Sequence, residues 1–308
     1  MSCRRRCRRP RRGVLTRPNL PHSSLRPAPN RCSRMTTAPS TATRIAGSCI
    51  RAAAVAGEAI AAPTAGGDAL RSRLRQHEWM DQPGADPLLL CRSLRFLRRI
   101  NVLLGYTRST LWHLDQLTRA SSNDQPITVL DVATGSADVP AAIVRWSRRR
   151  RLNVRIVALD RHPQTAVYAS QQLPRLAHNG PVQIIRADAL ELPFADGSFD
   201  YVISSLFLHH LDEQPIVRAL REMDRVARRG IILGDLIRSR RALVWITLMT
   251  LLANPMVRHD ARASVRQSFK PPEIIALCQR AGIGYLRYYP HFGHRFILAG
   301  QKQGRSLL

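Results

Sequence analysis

Lysine is almost absent from this chain. Only Lys270 and Lys302 are lysines among its 48 Lys and Arg residues, although the formal net charge is +27. A surface that needs only positive charge, such as one that binds nucleic acid, has no physical reason to exclude lysine. A GC-rich coding bias explains the arginines more simply, and we favour it over a selected basic surface. Nucleic acid is therefore not the partner that the sequence predicts.

Paired cysteines and long apolar runs are also missing. The six cysteines form no CxxC pair and show no Cys/His ligand spacing, so the sequence predicts neither a disulfide framework nor a zinc site, and it predicts no metal ligand. Residues 242–253 are strongly apolar, but a membrane span needs about 20 residues. We interpret this stretch as a buried or capping helix. A lid over an apolar substrate pocket and a surface that touches a membrane are the alternatives.

The beginning of the chain has no apolar periodicity. Its first 57 residues contain 13 arginines and no acidic residue, which predicts disorder or a transit peptide. Alternatively this segment is not translated, and the chain starts at Met35 or Met80. The expected location is the cytoplasm, with peripheral membrane contact as the alternative.

Composition and periodicity divide the chain into four parts. From Asp86 onwards, leucines at helical spacing predict one or two amphipathic helices. The predicted parts are a leader (1–67), a helical extension (68–126), a catalytic domain (127–302) and a tail (303–308).

After residue 127, short apolar strands alternate with helices. This order predicts an α/β fold that is Rossmann-like and doubly wound: a mostly parallel seven-stranded sheet with helices on both faces, preceded by a helical segment. The predicted strands are 127–132, 154–159, 182–186, 201–205, 231–236, 284–289 and 296–300. The predicted helices are 139–149, 165–176, 216–226 and 271–281.

The strongest chemical signal is the string DVATGSAD that begins at Asp131, where a buried strand ends in an acid and a turn of small residues opens a helix. Ligands of open parallel sheets bind at the carboxyl ends of strands. A dinucleotide fingerprint requires three glycines, and only Gly135 is present. Asp138 would also place an acid beside a pyrophosphate. The string therefore favours a ligand that carries an ammonium and a sulfonium, as S-adenosylmethionine does.

Acidic residues also end the next two strands. Asp160 is placed to accept hydrogen bonds from two ribose hydroxyls, although capping of the next helix is an alternative. Asp188, followed by Ala189, is placed to accept from an adenine amino group. Three acids at successive strand ends are more specific than any one of them.

With these motifs the sequence resembles class I S-adenosylmethionine-dependent methyltransferases of methyltransferase type 11. It is most similar to the group that includes the ubiquinone/menaquinone C-methyltransferases, in which the first motif reads D-x-A-G-G-T-G-D. The resemblance implies a methyltransferase with S-adenosylmethionine as its cofactor. The cofactor-binding residues that it implies are Asp131, Ala133, Gly135, Ser136, Asp160, Arg161, Asp188, Ala189 and Ser205.

Departures from the group's pattern leave the substrate open. Thr134 and Ala137 replace glycines, which tightens the turn and is expected to lower cofactor affinity. His209 and His210 stand where the group has its substrate-side residues. Residues around Asp235 and Arg238 are weakly similar to methyltransferases found beside polyketide synthases.

His209, His210 and Asp235 are the predicted catalytic residues. The histidines follow the fourth strand, so one of them can act as a general base, and Asp235 can orient the substrate. The alternative is that the histidines only pack. The predicted reaction is O- or C-methylation of a small, apolar aromatic, quinone-like or polyketide substrate. The alternatives are methylation of RNA or DNA and a non-catalytic cofactor-binding protein.

Overall fold

The computed structural model describes residues 70–82, 84–119, 125–177 and 181–302. They all belong to the compact unit Pro63–Leu308. The predictions for the leader (1–67) and the tail (303–308) lie outside the described residues.

A seven-stranded sheet forms the centre of the described residues, in the order β3-β2-β1-β4-β5-β7-β6. Strands β1 to β5 are parallel, and β7 runs antiparallel between β5 and β6. The predicted α/β, mostly parallel, doubly wound fold is thereby confirmed. The strands are β1 Ile127–Val132, β2 Val154–Asp160, β3 Val182–Arg186, β4 Phe199–Ser205, β5 Ala227–Leu236, β6 Arg287–His291 and β7 Arg295–Gln301.

Helices cover both faces of the sheet. Side chains alternate between the two faces along each strand, so neighbouring residues of one strand pack against different helices. Leu130 packs with the face that carries helices 213–226 and 271–280, whereas its neighbour Val129 packs with the face that carries helices 106–118 and 138–150. The helices are α1 Pro87–Leu103, α2 Tyr106–Thr118, α3 Asp138–Arg150, α4 Pro163–Ala177, α5 Glu213–Val226, α6 Arg240–Met249, α7 Pro255–Gln267 and α8 Pro271–Arg280. None of the described helices is long and apolar enough to cross a membrane.

The sequence did not predict helix α7. Its buried face includes the polar residues Asp260, Ser264 and Gln267, so the apolar period that marks an amphipathic helix is interrupted. Its start is nevertheless well defined: Asn254 accepts a hydrogen bond from the backbone N–H of Val257, and Pro255 occupies the first turn. Strand β6 begins at Arg287, three residues later than predicted.

Residues 70–82 form an extended segment, here called the N-terminal strap, that ends in a 3₁₀ turn at Trp79–Asp81. Arg73 donates to the backbone carbonyls of Leu211 and Gln267 at 2.9 and 2.8 Å. The backbone N–H groups of Trp79 and Met80 donate to the carboxylate of Asp260. These bonds fasten the strap beside the 3₁₀ turn Leu208–His210 that follows β4.

Candidate active site

A cavity of about 710 Å³ opens at the carboxyl ends of β1, β2 and β4. These ends lie side by side because Val132 is in register with Leu159 on one side and with Ser204 on the other. The loops after the three strands form one wall, and residues of α1, α6 and the strap form another. The cavity therefore occupies the position at which open parallel sheets bind ligands.

The loop after β1 runs through the left-handed backbone region three times, at Ala133 (φ 59°), Gly135 (φ 55°) and Ala137 (φ 56°). This region costs a non-glycine residue about 1–2 kcal/mol. Ala133 and Ala137 therefore hold backbone strain that a glycine would not have at these positions. A Cβ at Gly135 would meet no atom within 4 Å, so this residue faces open space in the cavity.

Asp160 joins this loop to the end of β2. Its Oδ2 accepts from the backbone N–H of Gly135 and its Oδ1 from the backbone N–H of His162, both at 2.9 Å. Each carboxylate oxygen retains a lone pair that can accept from a ligand. Burial raises the pKa of Asp160, and these two hydrogen bonds partly offset that effect.

Two further acids line the cavity at the loop. Asp131 is fully buried, and its Oδ2 has no hydrogen-bond partner. Burial raises the pKa of Asp131 to about 8, and the nearby Asp138 and Asp160 add to the rise. The carboxylate of Asp138 accepts a 3.0 Å hydrogen bond from the hydroxyl of Ser136. A bound cation would relieve the cost of burying these carboxylates.

The remaining predicted cofactor residues divide into two groups. Arg161 and Ser205 line the cavity, and the buried Oγ of Ser205 has no partner. Asp188 and Ala189 do not line it. Asp188 lies beside the cavity rim, 3.6 Å from the guanidinium of Arg161, so its assignment to adenine stays a prediction.

Of the predicted catalytic residues, His209 and Asp235 form a buried pair. Nδ1 of His209 lies 2.5 Å from Oδ1 of Asp235, and the side chain of His209 is 2% exposed. Burial alone lowers the pKa of His209, but Asp235 and Glu78 outweigh burial and raise it to about 10. Asp235 itself does not line the cavity. The structure therefore places it behind His209, where it holds the imidazole, instead of in the cavity as a group that orients the substrate.

His210 lines the cavity and is more accessible than His209. Its Nδ1 lies 2.8 Å from Oδ2 of Asp81, a contact that orients the imidazole at the cavity wall. Asp81 belongs to the strap and is half-exposed. The histidines predicted from sequence thus each have a carboxylate partner.

Glu78 and Asp81 were not predicted. Glu78 is buried, and its Oε1 lies 3.6 Å from Nε2 of His209 and 3.9 Å from Nδ1 of His210. Burial raises the pKa of Glu78, but His210 and His209 lower it to about 2 overall. More than 120 residues separate the strap from the histidines along the chain. No local pattern in the sequence could have indicated this contact.

Arg295 was also missed. It lies on β7, is buried and lines the cavity, and its Nε and Nη1 have no hydrogen-bond partner. Its Nη2 donates to the side-chain oxygen of Asn101 at 3.2 Å. The sequence does contain a signal for it: Arg295 begins the otherwise apolar string RFILAG. A buried guanidinium with free donors is suited to an anionic group.

Part of the chain is similar to known methyltransferases. Residues 130–233 match the family model described as a methyltransferase domain. The chain is 32% identical over 102 residues to the ubiquinone/menaquinone biosynthesis C-methyltransferase UbiE of Geobacter sp. (strain M21), covering 33% of this chain and 41% of that protein. It is 28% identical over 132 residues to UbiE of Rickettsia prowazekii, covering 42% and 50%. The chain thus spans about half the length of the curated relatives, or less.

Among solved structures, an S-adenosylmethionine-dependent methyltransferase from Aquifex aeolicus is similar at a TM-score of 0.47 and 18% identity, covering 70% of this chain and 98% of that chain. The family match lies within the residues that carry the predicted motifs, from β1 to β5. The resemblance stated from the sequence is thereby confirmed.

Proposed function

We propose that this chain, which carries a class I S-adenosylmethionine-dependent methyltransferase domain, methylates a small, apolar aromatic, quinone-like or polyketide substrate at oxygen or carbon. The observation that carries the proposal is the contrast between two walls of one cavity. The acids and small residues after β1 and β2 form one wall, and leucine and isoleucine side chains of α1 and α6 form the other. In this proposal residues 127–302 are the catalytic domain, and the extension (68–126) supplies part of its cover.

The polar wall fits the cofactor. Gly135 leaves open space, Asp131 has an unpartnered carboxylate oxygen for an ammonium group, and Asp160 can accept from two hydroxyls. Arg295 offers free donors for a carboxylate. S-adenosylmethionine, when bound here, supplies an electrophilic methyl group. The residues named hold the cofactor and match the charges of its amino-acid end.

The second wall supports an apolar substrate. Leu94, Leu97 and Ile100 of α1 and Ile246 of α6 line it. A cavity of about 710 Å³ falls within the usual range of roughly 300–1,000 Å³ for small-molecule sites. The two curated relatives are named for ubiquinone and menaquinone biosynthesis, which makes quinone-like rings the first acceptors to examine.

We assign proton removal from the acceptor to His210, because the raised pKa of His209 keeps that imidazole mainly protonated at neutral pH. A phenol or an acidic carbon must lose a proton before or during methyl transfer, and a positioned side chain that assists typically contributes about 10²–10⁴-fold. His209 is held by Asp235, and His210 lies at the cavity wall. In this arrangement Asp235 is a positioning residue.

A transfer assay tests the proposed function. The full chain is incubated with methyl-labelled S-adenosylmethionine and a panel of quinols, phenols and aromatic polyketides, and labelled products are separated. We expect labelling of at least one apolar acceptor. His210→Ala should slow turnover by about 10²-fold or more with unchanged affinity for S-adenosylhomocysteine, because His210 is assigned to the acceptor.

His77→Ala is the matched control, since His77 is exposed on the same strap and does not line the cavity. Tight binding of S-adenosylhomocysteine without transfer to any acceptor would favour the non-catalytic alternative. Labelling of RNA with a steep loss at high salt would instead favour the nucleic-acid alternative.

The outer face of α6 and the turn after it support contact with an anionic membrane surface. Exposed apolar side chains cluster here beside exposed arginines, and Ile246 of the same helix lines the cavity. We call this surface the α6 patch: Val244, Leu248, Leu251, Leu252, Arg240 and Arg241. Such a surface suits an enzyme that receives its apolar substrate from a lipid layer.

A further inference from the structure

One cluster at the cavity wall has the composition of a metal site. Glu78, His209 and His210 each offer one ligand atom, and these three atoms lie within 4.8 Å of one another. Two imidazoles and one carboxylate suit borderline divalent ions such as zinc. The strap supplies the carboxylate and the turn after β4 supplies both histidines, so the fold brings the three ligands together.

The distances do not describe ordinary hydrogen bonds. Oε1 of Glu78 lies 3.6 Å from Nε2 of His209 and 3.9 Å from Nδ1 of His210, beyond the usual limit of about 3.2 Å for a nitrogen-to-oxygen hydrogen bond. Nε2 of His209 is buried and has no hydrogen-bond partner. Two ligands of a tetrahedral zinc ion, each about 2.1 Å from it, stand about 3.4 Å apart. The 3.6 Å distance between Oε1 of Glu78 and Nε2 of His209 is therefore close to the separation of two ligand atoms on one cation.

The surroundings of His209 are those of a metal ligand. Its other ring nitrogen, Nδ1, faces the buried carboxylate of Asp235 at 2.5 Å. Histidines that bind a metal commonly donate their second N–H to a carboxylate in this way, which fixes the tautomer and turns the free nitrogen towards the ion. Asp235 thereby orients the lone pair of Nε2 towards Glu78.

We propose that Glu78, His209 and His210 bind one divalent transition-metal cation at the wall of the cavity. The inference rests on the proposed function and deepens it: a cation held by His210 would activate the acceptor in place of a free imidazole base. Three protein ligands leave a coordination position open, and a hydroxyl that enters it has a lowered pKa. The half-exposed carboxylate of Asp81, 2.8 Å from Nδ1 of His210, stands beside the site and can take the proton.

Cobalt(II) titration tests the site directly, without any need for activity. Tag-free full chain is stripped with a chelator and titrated with Co²⁺ while its visible absorption is recorded. We expect bands of a low-symmetry, four- or five-coordinate ion that saturate at about one equivalent per chain, and their loss when Zn²⁺ is added.

Glu78→Gln should remove these bands. Its amide oxygen can still accept the hydrogen bonds that Oε1 receives from Ser264 and Gln267, so the strap should stay in place. Asp235→Asn should weaken Co²⁺ binding about 10–100-fold. His77→Ala, the imidazole control on the same strap, should retain the bands and the stoichiometry.

Three outcomes would overturn the inference: no saturable Co²⁺ binding by the wild type, bands that survive Glu78→Gln, or bands lost equally in His77→Ala. An ion pair that Glu78 and Asp235 form with a protonated His209 would then account for the cluster. Titration of S-adenosylhomocysteine into the stripped chain is a separate measurement. If the chain binds S-adenosylhomocysteine but not Co²⁺, the metal site is wrong and the proposed function is unaffected. If it binds Co²⁺ but not S-adenosylhomocysteine, the metal site is supported and the proposed function is not.

Discussion

The backbone N–H of Gly135 donates a 2.9 Å hydrogen bond to Oδ2 of Asp160. This bond links the turn after β1 to the end of β2, so one carboxylate shapes the loop and also faces the cavity. A ligand that binds Asp160 therefore meets a loop that is already fixed. Preorganisation of this kind lowers the entropy that binding has to overcome.

Asp160→Ala should weaken binding of S-adenosylhomocysteine by about 10–100-fold, since a hydrogen bond to a charged group contributes about 1.5–3 kcal/mol. Asp160→Asn should lose less affinity for S-adenosylhomocysteine, because its amide oxygen can still accept the hydrogen bond from the backbone N–H of Gly135. Calorimetric titration measures both. Asp196→Ala is the comparison, because Asp196 is exposed and does not line the cavity. An equal loss there, or unchanged affinity in Asp160→Ala, would contradict the assignment of Asp160.

The order of helices and strands was predictable because each buried strand and each amphipathic helix is a local pattern. Strand β1 and strand β3 occur at the predicted bounds. The loop after β1 was equally accessible, since the string from Asp131 to Asp138 contains its own turn residues and acids. The sequence could also place His209 near the cavity, because it follows a strand of known direction.

Contacts between distant segments could not be predicted in this way. Glu78 reaches His209 through the strap, which has no regular apolar period. Helix α7 was missed because the buried Asp260 binds backbone N–H groups of the strap, a role that an apolar pattern does not report. The sequence predicts an exposed arginine at the end of a strand for Arg295. Its burial follows from the position of β7 between β5 and β6.

Cofactor binding should depend on pH through Asp131. Burial raises the pKa of this carboxyl to about 8, so at pH 7 it is mainly protonated before a cationic ligand arrives. An ammonium group favours the ionised form, and binding should release about one proton at pH 7. By linkage, affinity should rise with pH by up to about tenfold per unit between pH 6 and 7.5, then level off above 8.

Calorimetry at pH 7 in buffers of different ionisation enthalpy counts the released protons. Asp131→Asn carries no titrating group and should remove both the proton release and the slope. Two results would show that Asp131 does not lose a proton when the ligand binds. One is a wild-type affinity that does not change between pH 6 and 8, and the other is a pH dependence of affinity that persists in Asp131→Asn.

Arg238 should contribute strongly to stability. Its guanidinium is fully buried and donates to the carbonyls of Leu70 and Ser268 and to the carboxylate of Glu273. Arg238→Met should lower the free energy of unfolding by about 3–5 kcal/mol, because it leaves these acceptors without their partner. Urea denaturation measures the change. Arg241→Met, at an exposed arginine nearby, should stay within about 0.5 kcal/mol, and a comparable loss there would contradict the explanation.

The α6 patch should bind anionic vesicles. Leu252 is 99% exposed, and burying a leucine side chain contributes about 1.5–3 kcal/mol, so Leu252→Asp should reduce vesicle binding by at least tenfold. Arg241→Glu should also weaken it, because each cation near an anionic surface contributes about 1 kcal/mol. Flotation with vesicles of anionic or neutral lipid measures both changes. Val167→Asp, at an exposed residue of α4, is the matched control. Equal losses in Val167→Asp, or equal binding to neutral vesicles, would remove the α6 patch as the contact surface.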